Sequence, residues 1–78
     1  MSRNTPLLTS LRFELNYQRK VRHLTYDDLA KLSGVGRRTL VSIELGESSG
    51  SIESWADICR ALQCSLSTFI TMAEEGQA

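Results

Sequence analysis

Between Thr25 and Gly46 the chain has room for two short helices and almost nothing between them. Thr25 is suited to an N-cap, and Asp27 and Asp28 follow in the first turn, where carboxylates complement the helix dipole. Asp28 stands three residues after Thr25, the spacing of a capping box. Leu29, Ala30 and Leu32 supply apolar positions, and Gly34 is placed to end the helix in the left-handed conformation. After only Val35-Gly36 a second helix is expected from Arg37 to Leu45, stopped by Gly46. Two helices meeting at a wide angle need a turn of roughly three to four residues containing glycine, and Ser33-Gly34-Val35-Gly36 provides it. Ala30 is small, as a close crossing of the two helices requires. Val35, Leu40 and Ile43 are expected to face the core, leaving Arg37, Arg38, Val41 and Ser42 outward.

The flanking sequence completes an all-α chain of five helices in one compact domain. An N-terminal arm over residues 1–5 leads into the domain, residues 6–73, which carries the helix-turn-helix at 25–46; residues 74–78 read as a frayed tail. Helix 1 is expected to start at the cap-like Thr5-Pro6 and run to about Arg22, with Leu8, Leu11 and Leu15 on its core stripe and His23 at the turn. Glu47-Ser48-Ser49-Gly50 is a polar turn. Ser51 then caps helix 4, where Ile52, Trp55, Ile58, Cys59 and Leu62 recur at helical spacing. Ser65 caps a short helix 5 with Leu66, Phe69 and Ile70 inward.

The chain has 78 residues, 41% of them hydrophobic, enough for one small core. No apolar run approaches the roughly 18 residues of a membrane span, and the N-terminus lacks the apolar stretch and cleavage site of a signal peptide. A cytoplasmic location is therefore expected, with no membrane partner. Cys59 and Cys64 match neither a zinc site nor a redox motif and read as small hydrophobes in a reducing compartment. No metal, cofactor or small-molecule ligand is expected. The formal net charge is zero, but residues 1–43 hold eight Lys/Arg against three Asp/Glu, whereas residues 44–78 hold Arg60 against six acids. One face can thus be steered toward phosphate while the other repels it.

The stretch LTYDDLAKLSGVGRRTLVSIELG at 24–46 resembles the lambda repressor/Cro (Xre) class of helix-turn-helix domains. The resemblance continues through Ser51-Ile52-Glu53, Ala61-Leu62 and Cys64-Ser65-Leu66, covering about residues 11–70. It implies that the second helix of the motif enters a major groove of double-stranded DNA, with Arg37, Arg38, Val41 and Ser42 at base edges. Arginine binds guanine O6 and N7 with two hydrogen bonds, so G·C pairs are expected at the positions these side chains read. Phosphate contacts are expected from Thr25 and Tyr26 at the start of helix 2, from Thr39, and from Ser48 and Ser49 in the following turn. Tyr26 stands where many relatives carry glutamine, and Gly36 replaces the usual serine or threonine cap. The resemblance also implies a structural ion pair between Arg19 and Glu44.

Two further surfaces are legible. Phe13, Tyr17 and Val21 form a second apolar stripe on helix 1, nearly opposite the core stripe. It is open to three readings: a surface covered by the arm or tail, a homodimer contact, or a site for another regulatory protein. The dimer surface usual in the resembled family lies around helix 5, which here places Thr68, Thr71 and Met72 on it, with exposed edges of Phe69.

No catalytic constellation is visible, since His23 has no nucleophile in context and no phosphate loop is present; an enzyme is not expected. The leading expectation is a transcriptional repressor binding an inverted-repeat operator as a homodimer, of the size shared by phage-type, mobile-element and restriction-modification regulators. The alternative is a small antiactivator or antitoxin-type protein that uses the same scaffold to inhibit another regulator.

Overall fold

The computed structural model describes residues 6–76. The arm at 1–5, including the Thr5 cap, and the last two tail residues lie outside the described residues. Five helices follow in order: α1 Pro6–Val21, α2 Tyr26–Ser33, α3 Arg37–Leu45, α4 Ile52–Ala61 and α5 Leu66–Gly76. None of them is long and apolar enough to cross a membrane.

A single core joins all five. Leu11 and Leu15 of α1 meet Leu29 of α2, Leu40 and Ile43 of α3, Trp55, Ile58 and Cys59 of α4, and Phe69 and Ala73 of α5. α1 and α5 share the most extensive helix–helix contact. Burying this apolar surface supplies the main drive to fold, about 25 cal/mol for each Å² removed from water. Burial pushes the Cys59 thiol up to about 12, reinforced by neighbouring Cys64. That thiol therefore packs as a hydrophobe.

Two helices end in a left-handed residue that is not glycine. His23 has φ 57° and Gln63 φ 62°. At each, two backbone bonds close the helix: His23 N–H to Lys20 O and Leu24 N–H to Arg19 O, and correspondingly Gln63 N–H to Arg60 O and Cys64 N–H to Cys59 O. This is the Schellman pattern, and it satisfies carbonyls that the last turn would otherwise leave bare. α1 accordingly stops at Val21, just short of Arg22.

The structure corrects three expectations. Residues 74–76 are the last turn of α5 and not tail, because Leu66, Phe69, Ile70 and Ala73 form an i, i+3, i+4, i+7 stripe that carries the helix on. Leu32 is 59% exposed. The inward stripe of α2 runs through Tyr26, Leu29, Ala30 and Ser33, and at about 100° per residue Leu32 falls well to its side. Ile52 is 74% exposed, because it begins α4 at the edge of the stripe made by Trp55, Ile58, Cys59 and Leu62.

Candidate nucleic-acid interface

The turn between α2 and α3 is fixed from within. Gly34 takes φ 80° and its N–H donates to Ala30 O. Its Cβ position is open, so only the backbone conformation calls for glycine there. The buried Ser33 hydroxyl accepts from Val35 N–H at 3.1 Å, which sets Val35 into the core and aims the chain into α3. Gly36 is the N-cap of α3 and provides no side-chain hydrogen bond.

With Leu40 and Ile43 fully buried, the rotation of α3 is determined. Arg37, Arg38 and Thr39 are exposed, and Val41 and Ser42 are half-buried. Arg37, Arg38, Val41 and Ser42 line one open groove of about 550 Å³, bordered by Glu47. The four residues proposed from the sequence as base readers thus lie together. Thr39 stands outside that lining.

Behind the groove, Glu44 of α3 gathers side chains from α1 and α2. Arg19 Nε donates to Glu44 Oε2 at 2.8 Å and Arg19 Nη2 donates to Oε1 at 3.2 Å. Asn16 Nδ2 and the Tyr26 hydroxyl donate to the same Oε1 at 2.9 and 3.1 Å. Arg19 Nη1 donates to Leu24 O at 2.9 Å, and its guanidinium lies 4.2 Å from the Tyr26 ring centre. Burial alone would raise the Glu44 carboxyl, but the hydrogen bonds from Arg19 and Asn16 and the arginine charge outweigh it and hold it below the ordinary range. Tyr26 is raised, by burial first and by the Glu44 charge second.

This network corrects the role assigned to Tyr26. Its hydroxyl hydrogen is spent on Glu44 and cannot also be donated to a phosphate. The Tyr26 backbone N–H, in the first turn of α2, has no acceptor within the helix. Thr25 forms a full capping box with Asp28: its hydroxyl accepts from Asp28 N–H at 3.0 Å, and its own N–H donates to Asp28 Oδ2 at 3.0 Å. The bond from the Thr25 backbone N–H, and after it the Thr25 hydroxyl, hold the exposed Asp28 carboxyl below its ordinary value.

The turn after α3 is equally organised. Gly46 caps α3 at φ 79° against the Arg12 guanidinium. The buried Trp55 indole N–H donates to Ser49 O at 2.8 Å, and Ser48 Oγ accepts from Gly50 N–H at 3.1 Å. At Gly50, φ 75°, a Cβ would come within 2.9 Å of Ile43, so a side chain there would displace the turn. Ser48 and Ser49 are half-buried and fixed beside the groove.

Sequence reasoning missed one contact at the groove itself. Arg37 Nε lies 3.2 Å from Asp27 Oδ1, and the Arg37 guanidinium stands 5.7 Å from the Tyr26 ring centre. The signal in the sequence is an acid in the first turn of α2 opposite a base in the first turn of α3, a pattern the helix dipole alone also accounts for.

The remaining surfaces divide. Phe69 is fully buried and packs on Trp55 with ring centres 5.9 Å apart, so it is withdrawn from the expected dimer surface. Thr68 and Thr71 remain exposed and Met72 half-buried. A more apolar concavity of about 330 Å³ lies where Leu8, Trp55, Leu66 and Ile70 meet, with the exposed Ile52 on its lining. Phe13, Tyr17 and Val21 are 58%, 61% and 54% exposed among the described residues.

Comparison with known proteins agrees with this geometry. The sequence model of the HTH_3 helix-turn-helix family matches residues 15–69. A solved structure of a point mutant of the restriction-modification controller protein C.Esp1396I superimposes with a TM-score of 0.84 at 26% identity, covering 97% of this chain and 94% of the other. A transcriptional regulator of the HTH_3 family from Vibrio cholerae superimposes with a TM-score of 0.77 at 34% identity over 87% of this chain. This chain spans only 39% of that regulator. No curated protein matches the chain by sequence. The matched span runs from Leu15, midway along α1, through the groove helix to Phe69, and the chain belongs to the HTH_3 helix-turn-helix family, the lambda-repressor-like class.

Proposed function

We propose that this protein is a non-catalytic, sequence-specific DNA-binding transcriptional regulator of the cytoplasm, acting as a repressor at an inverted-repeat operator. The observation that carries the reading is the groove: Arg37, Arg38, Val41 and Ser42 converge on the outer side of a helix whose opposite side is locked into the core. Its two arginines suit guanine edges, and the uncapped start of α3 and the first turn of α2 offer N–H groups to phosphate. The restriction-modification controller supports a regulatory role, because its chain is matched over nearly its whole length.

Reading an inverted repeat requires two copies. With Phe69 buried, the concavity holding Ile52, Leu66 and Ile70 offers a more apolar self-contact than Thr68 and Thr71 do. The DNA reading is tested by fluorescence anisotropy with the duplex upstream of the protein's own coding sequence. Wild type is expected to bind with affinity falling steeply with salt, and Arg37→Ala/Arg38→Ala to lose binding. No binding by wild type even at low salt would sink the reading.

A second reading rests on the exposure of Phe13, Tyr17 and Val21: the scaffold binds and silences another regulatory protein. Phe13→Ala/Tyr17→Ala separates the two. Under the DNA reading it keeps operator binding and repression of a reporter; under the second it loses reporter control with DNA affinity unchanged.

A further inference from the structure

Among the described residues, Asp27 is the acid that forms an ion pair with a side chain lining the groove. The start of α2 is already capped by Thr25 and Asp28, so the Asp27 carboxylate is not needed to close the helix. It points instead to Arg37, across the turn, with Oδ1 3.2 Å from Nε. The contact through Nε matters. It leaves both terminal nitrogens of the guanidinium, the pair that matches guanine O6 and N7, without a partner from Asp27. The Tyr26 ring, 5.7 Å from the same guanidinium, borders it further, and that ring is itself held by Glu44 and Arg19.

We propose that Asp27 is a positioning residue that sets the specificity of the groove, buttressing Arg37 through Nε so that its terminal N–H groups are presented to a guanine and not to the DNA backbone. The proposal rests on the DNA-binding reading above. Two effects act in the same direction. Holding a long, flexible side chain in a chosen orientation lowers the cost of ordering it at a base edge. A carboxylate beside Arg37 also cancels much of its attraction for phosphate, and phosphate attraction supplies essentially all non-specific binding. Asp27 therefore favours the correct sequence and disfavours the wrong ones. Both partners are exposed, at 60% and 72% of their side chains, and exposed pairs are individually weak. The effect is accordingly a change of several-fold, not an on–off switch.

The test is a double-mutant cycle read on DNA. A duplex enriched by wild type from a randomised library and a random-sequence duplex serve as the two probes, titrated across a salt series. Asp27→Asn is expected to bind the random duplex more tightly, with a steeper salt dependence, and the enriched duplex no more tightly than wild type does. Its specificity ratio should fall about three- to tenfold. Selection with Asp27→Asn should relax the guanine preference at one position of each half-site, and Asp27→Glu should restore part of it. In an Arg37→Ala background the same substitution should leave the ratio unchanged. Thermal melting of Asp27→Asn should stay close to wild type, because the capping box is intact. An unchanged ratio overturns the proposal, as does an equal fall in the Arg37→Ala background, which would show simple repulsion of phosphate. If wild type binds neither duplex, the DNA-binding reading itself falls and takes the buttress with it.

Discussion

Arg19 and Arg37 each face a carboxylate, but Arg19 is hydrogen-bonded to Glu44 through two nitrogens whereas Arg37 stands beside Asp27 as an ion pair alone. Each sets Nε against a carboxylate, at 2.8 Å to Glu44 and 3.2 Å to Asp27, and each lies near the ring of Tyr26. Arg19 and Glu44 retain only 12% and 3% of their side-chain exposure, whereas Arg37 and Asp27 retain 60% and 72%. In the first pair the carboxylate collects donors from Arg19, Asn16 and Tyr26, and the guanidinium also reaches Leu24 O. Losing one partner there strands a charge away from water. In the second pair both partners stay in contact with solvent, so losing either costs the fold little. Burial makes one pair a fixed joint between α1, α2 and α3, and exposure leaves the other able to exchange partners.

The largest effect that would break this comparison is expected at Glu44. Glu44→Ala should destabilise the domain by about 3 kcal/mol, because it leaves Arg19 buried without its counter-charge. For a domain of this size that lowers the melting temperature by roughly 10–20 °C. A melting temperature unchanged by circular dichroism would mean that Arg19 escapes to water and that the two pairs are equivalent. The acid side gives an independent check. The Glu44 carboxyl is held below its ordinary value of 4.5, so its contribution is complete above that pH and disappears as pH falls through the lowered folded-state value. Wild type should therefore lose stability in acid more steeply than Glu44→Gln, which lacks the contribution at every pH.

Arg37 should show the opposite profile. Arg37→Ala is expected to change stability by less than about 0.5 kcal/mol, as exposed substitutions do. It should weaken binding to a selected duplex by about 1–3 kcal/mol, the value of one bidentate base contact. A large fall in melting temperature with DNA affinity intact would reverse the roles of the two arginines.

Much of this contrast could be read from the chain, and what could not has identifiable causes. The turn was legible because few sequences satisfy it: Gly34 and Gly46 adopt positive φ, and Thr25, Asp28 and Ser51 make the cap contacts their positions require. The convergence of Arg37, Arg38, Val41 and Ser42 followed from the same spacing once Leu40 and Ile43 were placed inward. Local pattern failed where a third element decides. Leu32 and Ile52 have apolar side chains at the margins of their stripes and stay largely exposed. Phe69, although inward by spacing, keeps no exposed edge for a partner, because Trp55 on another helix packs against it. The tail was read from composition, although Ala73 seats its beginning on the core. The hydroxyl of Tyr26 has two partners of similar chemistry within reach of sequence reasoning, a phosphate and a carboxylate, and only the fold selects Glu44.

Tyr26→Phe sharpens the comparison at smaller scale, since this side chain touches both arginines. It removes one of the donors to Glu44 while keeping the ring. A loss of about 1 kcal/mol is expected, because Arg19 and Asn16 still satisfy the carboxylate. DNA affinity should be unchanged at all salt concentrations. If melting is unaffected and affinity drops, the hydroxyl works outward and Tyr26 belongs with Arg37.

The smallest expected effect lies at Gly36. Its backbone, φ −61° and ψ 146°, is as extended as that of the caps Thr25 and Ser51, and a Cβ there meets nothing within 4 Å. Serine fits without strain and would cap α3 as Ser51 caps α4. Gly36→Ser should therefore stabilise the domain by a few tenths of a kcal/mol, roughly 1–3 °C in melting temperature. The informative measurement is DNA affinity in the same variant. An unchanged affinity would make the absent cap a small unused reserve of stability. A reduced affinity would mean that the bare N–H groups at the start of α3 are kept for phosphate, so that this end of the groove, like Arg37 and unlike Arg19, is left incompletely satisfied by the protein so that DNA can complete it.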